Sequence, residues 1–366
     1  MAIDRRTFLA AAALAPAATL LAAPERHMLQ MGGYPLNAET PLELLTDYLT
    51  PNELFFVRSH WIPRMPDAKT WRLHAGSKSF SLADLRGLPR AEATCVLMCA
   101  GNGRALHEPA LPGVQWRYGA VGNARWTGVR VRDVLERAGI PKGAKHLHLF
   151  GSDDPPGKVP PFHRSIELSK ALDDCLLAFE MNGAPLPPQH GAPLRLVVPG
   201  WAGDHWMKWV VRMEMHAEPL RGFYMDTAYR WPNQPGAPGV SFKPEEMHPV
   251  TGLPVKSNIT TAPKKARVKQ TYDVRGFAFS GAPDIAKVEV SADDGATWKA
   301  ATLDPRHAPY AWRLWSFRWT PSRAGRTSLL ARATDSRGVV QPRQAVWNQS
   351  GYLYNAWHSV DVEVTA

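Results

Sequence analysis

Cys95-Val-Leu-Met-Cys-Ala-Gly-Asn-Gly-Arg104 is an apolar run that stops abruptly in glycine, asparagine and arginine. It reads as a buried strand that delivers Cys99 into a loop whose glycines let the backbone come close to a ligand. A thiolate in that position is a soft metal ligand. Cys95 and Cys99 do not read as a disulfide, because four residues of strand set them about 13 Å apart, beyond the limit of about 7 Å between Cα atoms. There is no second cysteine pair to complete a zinc site. On the loop alone, two buried free cysteines is as good a reading as a metal ligand. Cys175, in Asp174-Cys-Leu-Leu-Ala-Phe, reads as core.

Working outward, residues 40–250 mix short apolar runs at 93–98, 146–150 and 194–198 with a few helical stretches. The clearest helix covers 129–138, with Val131, Val134, Leu135 and Ala138 on one face and Gly139 as its stop. This predicts an α+β domain. Residues 215–265 are rich in proline and glycine with little periodicity and read as a wrapping linker. Beyond 266 the period becomes two: Ala286, Val288, Val290 and Ala292 alternate with Lys287, Glu289 and Ser291, and Asp294-Gly295 supplies a turn. Trp315, Phe317 and Trp319 alternate in the same way, and 329–333 and 359–364 add strands. The expected organisation is an α+β domain over 40–250 and an all-β, immunoglobulin-like sandwich over 251–366.

Composition agrees with this. The 366 residues suit about two domains. Thirty-three prolines, 28 glycines and 14 tryptophans favour turn-rich β architecture over a helical bundle. A net charge of +10 favours anionic ligands or an acidic protein partner. Nucleic acid is not expected, since no basic cluster or recognition motif accompanies the charge.

At the N-terminus, Asp4-Arg-Arg-Thr-Phe-Leu precedes an uncharged Ala/Leu-rich run over 10–23. Residues 1–23 resemble a twin-arginine export signal, which implies export of a folded, cofactor-loaded protein to the periplasm and cleavage near Ala23. No later apolar run is long enough to span a membrane, so no span is expected in the mature chain.

Several segments in order resemble the sulfite oxidase family of molybdopterin enzymes. Phe55-Phe-Val-Arg-Ser-His60 resembles the family's Phe-Val-Arg-Asn-His stretch, and Cys99-Ala-Gly-Asn-Gly-Arg104 its Cys-Ala-Gly-Asn-Arg-Arg loop. Gln115-Trp-Arg-Tyr-Gly-Ala, Ala124-Arg-Trp-Thr-Gly, Ala178-Phe-Glu-Met-Asn-Gly-Ala-Pro-Leu-Pro, His190-Gly-Ala-Pro-Leu-Arg-Leu-Val-Val-Pro-Gly200 and Lys208-Trp209 follow. Tyr229-Arg230 falls where the family has Tyr-Lys. Pro254-Val-Lys-Ser-Asn-Ile-Thr260, Trp312-Arg-Leu-Trp315 and 347–358 are similar to the family's dimerisation domain.

The resemblance implies roles residue by residue. Cys99 is the expected protein thiolate on molybdenum, the other sulfurs coming from the dithiolene of molybdopterin. Phe56, Val57, Arg58 and His60 are expected to lie along the cofactor, with Asp153, His190, Arg195 and Lys208 contacting the pterin and its phosphate. Arg58, Arg104, Trp116 and Tyr229 are expected to form the substrate pocket, whose guanidinium forks and phenol suit sulfite. Two positions depart from the family. Ser350 stands where an arginine from the second domain is usual, and Gly103 replaces the first arginine of the loop.

The expected activity is oxidation of sulfite to sulfate on Mo-molybdopterin in a homodimer. The expected electron acceptor is a separate periplasmic c-type cytochrome, with no haem in this chain. Alternatives are a sulfane dehydrogenase subunit acting on protein-bound sulfur and a cofactor-free binding protein.

Overall fold

The computed structural model of the chain describes residues 27–33, 35–61, 65–153 and 155–366. The twin-arginine segment expected over 1–23 lies outside these residues, as does Asp154.

Two five-stranded sheets build the first domain. In one, Arg90–Met98 pairs antiparallel with Val121–Arg130, which pairs with Leu176–Met181; the last also carries Ala184–Pro185 and Arg195–Val197. The other runs Lys78–Phe80, Leu73–Ala75, Val210–His216, His146–Gly151, Arg164–Glu167, with one parallel pairing, between Leu73–Ala75 and Val210–His216. Val129 and Arg130 belong to a strand, so the helix expected from 129 begins at Val131 and ends at Ala138. Val131, Val134 and Leu135 are buried as the pattern requires, and Gly139 ends the helix at φ +85°, where glycine has no steric penalty.

Four strands, Lys256–Thr261, Tyr272–Phe279, Arg313–Trp319 and Thr302–Leu303, face a five-stranded sheet of Lys265–Arg267, His358–Thr365, Gly325–Asp335, Ile285–Ser291 and Lys299–Ala300. Val274, Val288, Trp315, Leu329 and Val362 fill the space between them. This is the expected β-sandwich, with one shift of register. A bulge between Ile285 and Lys287 places Ile285 in the core and leaves Ala286 exposed, so the strict alternation begins only at Val288. The region read as a linker is more ordered than expected. It holds a short helix, Phe223–Asp226, and an antiparallel pair, Arg230–Pro232 with Met247–Pro249.

The strand Arg90–Met98 joins the two domains. Because side chains alternate across a strand, Cys95, Leu97 and Cys99 enter the first domain's core, while Val96, Met98 and Ala100 enter a second core with Phe277, Phe279 and Trp312. Trp312 is fully buried and donates from Nε1 to the Tyr48 carbonyl at 2.8 Å. A tryptophan packed in this way resists truncation by about 3–5 kcal/mol. Backbone bonds from Val96 to Tyr310 (2.9 Å) and from Leu353 to Ala100 (2.8 Å) fasten the strand and its loop to the sandwich.

Candidate active site

Cys99 ends the strand, with its N–H on the Ala120 carbonyl and its carbonyl accepting from Asn102, each at 2.9 Å. All three cysteines are free and buried. Burial pushes the Cys99 thiol up, and the Arg58 guanidinium, the Gly101 N–H and Arg104 oppose it. Burial, and then the Asp174 carboxylate, pushes Cys95 and Cys175 up strongly against the pull of Lys170, and Cys175 donates to the Lys170 carbonyl. Their surroundings are those of structural cysteines.

Cys99 stands where two cavities meet. The larger, with about 740 Å³ of empty space, is lined by Phe56, Arg58, His60, Asp153, His190, Arg195 and Lys208 together with Cys99. Val57 is the exception among the expected cofactor residues. It is buried, its backbone pairs with Ala38, and it does not line the cavity; along an extended segment it faces away from its neighbours Phe56 and Arg58.

Arg58, Arg195 and Lys208 give this cavity three cations against the two carboxylates of Asp153 and Asp204; Arg195 is buried, and Arg58 and Lys208 are partly exposed. Arg195 donates to the His190 carbonyl at 2.9 Å, lies 4.8 Å over Trp126, and keeps a buried Nε without a partner among the described residues. Burial pushes its guanidinium down to about 9. Lys208 donates to the Arg58 and Gln189 carbonyls at 2.9 and 3.0 Å and lies 4.2 Å from the Trp209 ring. Burial, then Arg195, pushes its amine down to about 7, with Asp153 acting the other way. Such a set is complete only with an anion present, and a pterin bearing a phosphate fits it. His190 is neutral, pushed down to about 3 by burial and then by Arg195 and Lys208.

Arg58, Arg104, Trp116, Tyr229 and Ser350 line the smaller cavity, of about 650 Å³, which also includes Cys99 and His60. Trp116 is fully buried and its indole N–H has no partner among the described residues. Arg104 is held by the second domain: Nε donates to the Ser350 carbonyl at 2.9 Å, one terminal nitrogen donates to the Val114 carbonyl at 3.0 Å, and the guanidinium lies 5.4 Å over Tyr352. Gly103 is explained by its surroundings. It has φ +92°, and a Cβ there would lie 2.6 Å from the Tyr354 Cβ, so no larger residue fits without moving Tyr354.

Tyr229 is held at φ +56°, in the left-handed region, with its carbonyl accepting from Val250 and its ring stacked on Tyr352 at 5.4 Å. Its hydroxyl lies 2.9 Å from His60 Nε2, and Arg58 approaches His60 Nδ1 at 3.3 Å. Burial holds the phenol far above its ordinary pKa and holds His60 well below its own, with Arg58 adding to the latter.

Sequence reasoning missed a group behind Tyr229. Arg164 is fully buried, pairs with Asp204 at 2.7 Å and lies 5.5 Å from the Tyr229 ring. Asp204 lines the larger cavity; burial pushes its carboxyl up to about 7 against the pull of Arg164. His205 beside it reaches the Val250 carbonyl at 2.7 Å. The available signal was the segment Gly203-Asp-His-Trp-Met-Lys208, polar residues set between tryptophans one turn before an expected phosphate-binding lysine.

Residues 60–224 match the family model of the oxidoreductase molybdopterin binding domain, and residues 248–365 that of the Mo-co oxidoreductase dimerisation domain. The chain is 39% identical over 362 residues to mitochondrial sulfite oxidase of Homo sapiens, covering 90% of this chain and 65% of that protein. It is 34% identical over 362 residues to sulfite oxidase of Arabidopsis thaliana, covering 89% of this chain and 91% of that protein. The crystal structure of the sulfane dehydrogenase SoxCD from Paracoccus pantotrophus superposes with a TM-score of 0.80 at 26% identity, covering 96% of this chain and 92% of that one. With this fold, and with a cation-lined cavity meeting a smaller one at Cys99, the chain belongs to the sulfite oxidase family of molybdopterin oxidoreductases.

Proposed function

We propose that the chain oxidises sulfite to sulfate, with molybdopterin in the larger cavity, the Cys99 thiolate on molybdenum, and sulfite in the smaller cavity. The observation that carries this reading is the position of Cys99, which lines both cavities at once. Arg195, His190 and Lys208 would hold the pterin and its phosphate. Bound Mo-molybdopterin supplies two-electron oxygen-atom transfer to sulfur.

The remaining roles belong to side chains. Arg58 and Arg104 supply positive charge along the smaller cavity, and their other hydrogen bonds go to neutral groups, Asn37, His60 and backbone carbonyls. Their charge therefore stays available to an oxyanion. The unpartnered N–H of Trp116 adds a neutral donor. Tyr229 shares the lining of both cavities with Cys99 and Arg58.

Export by the twin-arginine route, a periplasmic location, a homodimer through the sandwich, and electron delivery to an external c-type cytochrome complete the proposal. The net charge of +10 favours an acidic electron-acceptor surface. A second reading, sulfane dehydrogenase activity on protein-bound sulfur, is favoured by Ser350, since a serine leaves room that an arginine would fill. Steady-state assays of the molybdenum-loaded protein with sulfite, offering cytochrome c, ferricyanide and oxygen in turn, separate these readings. Saturable sulfite-dependent reduction of cytochrome c supports the first; negligible sulfite turnover with every acceptor sinks it.

A further inference from the structure

On the sheet face opposite the one that packs Leu147, Leu149 and Met213 into the core, two neighbouring antiparallel strands set four potential ligands in a square. His146 and His148 on His146–Gly151 lie directly opposite His216 and Glu214 on Val210–His216. Residues two apart on a strand share a face, so the arrangement follows from register alone. The ligand atoms of His148, Glu214 and His216 all lie within 4.8 Å of one another. We propose that His148, Glu214 and His216 form a binding site for one divalent transition-metal ion of the zinc or copper class, separate from the molybdenum centre.

Ligand chemistry and orientation both support this. Two imidazoles and one carboxylate suit zinc or copper, with an open fourth position for water or for His146. Ligands on a tetrahedral zinc at about 2.0–2.2 Å lie roughly 3.3–3.5 Å apart, so modest side-chain rotation closes the site. His148 is buried and its Nε2 donates to the Glu218 carbonyl at 2.9 Å, which leaves the lone pair on Nδ1. A metal-binding histidine is commonly oriented by such a bond from its other nitrogen. Burial also lowers the affinity of His148 for a proton, which keeps it in the neutral form a metal needs. His216 lies 3.2 Å from Glu214 and its ring is stacked on that of His148 at 4.1 Å, so the rings must turn edge-on to share an ion, which would also take Glu214 from its pairing with Arg212.

The place of the cluster in the fold suggests what the ion does. Strand His146–Gly151 ends two residues before Asp153, and Val210–His216 begins two residues after Lys208. At about 3.3 Å per residue the cluster lies roughly 15–25 Å from those cavity residues along the strands. A bound ion would therefore clamp together the two strands that carry Asp153 and Lys208, without touching the reaction.

Calorimetric titration of the untagged, molybdenum-loaded protein with zinc chloride tests this, with bound metal counted by mass spectrometry after desalting. One zinc per chain at micromolar Kd is expected. His216→Ala and Glu214→Gln should each weaken binding at least about tenfold, while molybdenum content and turnover stay at the wild-type level. No saturable uptake below about 100 μM in the wild type overturns the proposal. So does uptake that survives both substitutions undiminished, because the zinc then sits elsewhere.

Discussion

The Tyr229 hydroxyl lies 2.9 Å from His60 Nε2, and the other nitrogen of that ring lies 3.3 Å from an Arg58 terminal nitrogen. A guanidinium only donates, so His60 Nδ1 is the acceptor and Nε2 carries the hydrogen of the neutral ring. His60 then donates to the oxygen of Tyr229, a residue that lines both cavities. One sequence stretch, Arg58-Ser-His60, thereby fixes a charge and, through the histidine, the direction of a phenol contributed by a residue about 170 positions later in the chain.

Tyr229→Phe should lower kcat/KM for sulfite by about 10- to 100-fold, the value of about 1.5–3 kcal/mol for a hydrogen bond to an ion. Molybdenum content should be unchanged. Loss of molybdenum with normal turnover per remaining metal would place Tyr229 at the cofactor instead.

Ser350→Arg puts a guanidinium beside the cavity that already holds Arg58 and Arg104. If free sulfite is the substrate, its KM should fall by up to about tenfold through the added charge-assisted bond. If a larger sulfur substrate is used, the variant should lose that activity while sulfite turnover stays negligible. A rise in KM with no gain in turnover contradicts the sulfite reading.

Lys256 is 1% exposed, and its ammonium has no hydrogen-bond partner among the described residues, with only the Tyr118 and Tyr354 rings near 5.9 and 5.8 Å. Burial pushes its amine down to about 7, and Glu39 opposes this. Between that value and the unfolded one of about 10.4, the unfolded chain holds the extra proton. Stability from this group is therefore full above about pH 10.4 and lost as pH falls toward 7. Lys256→Met should raise Tm at pH 7, by a stabilisation on the order of 1–4 kcal/mol, and flatten the rise of Tm between pH 7 and 10. An unchanged pH slope would show that the lysine is not the group titrating.

Local signals made much of this legible. The Cys99 loop and the period-two strands of the sandwich each have a pattern readable over a few residues, whereas Arg195 and Lys208 are singled out only by the family resemblance. What stayed hidden depends on distant partners. Arg164 looks like any surface arginine until Asp204 is brought to it from forty residues away. Val57 faces away from Phe56 and Arg58 because an extended segment turns alternate side chains apart, and the bulge at Ile285 cannot be seen without its partner strand. Tyr229 lies in a segment without periodicity, and only the family resemblance singled it out.

Cys99, which lines both cavities, is proposed as the protein ligand of molybdenum. Molybdenum K-edge absorption of the loaded wild type and of Cys99→Ser, compared at equal molybdenum content, tests it most directly. One fewer sulfur neighbour in the variant and loss of sulfite turnover are expected, because a hydroxyl does not replace a soft thiolate. Identical sulfur coordination in the two proteins, with turnover retained, would contradict it.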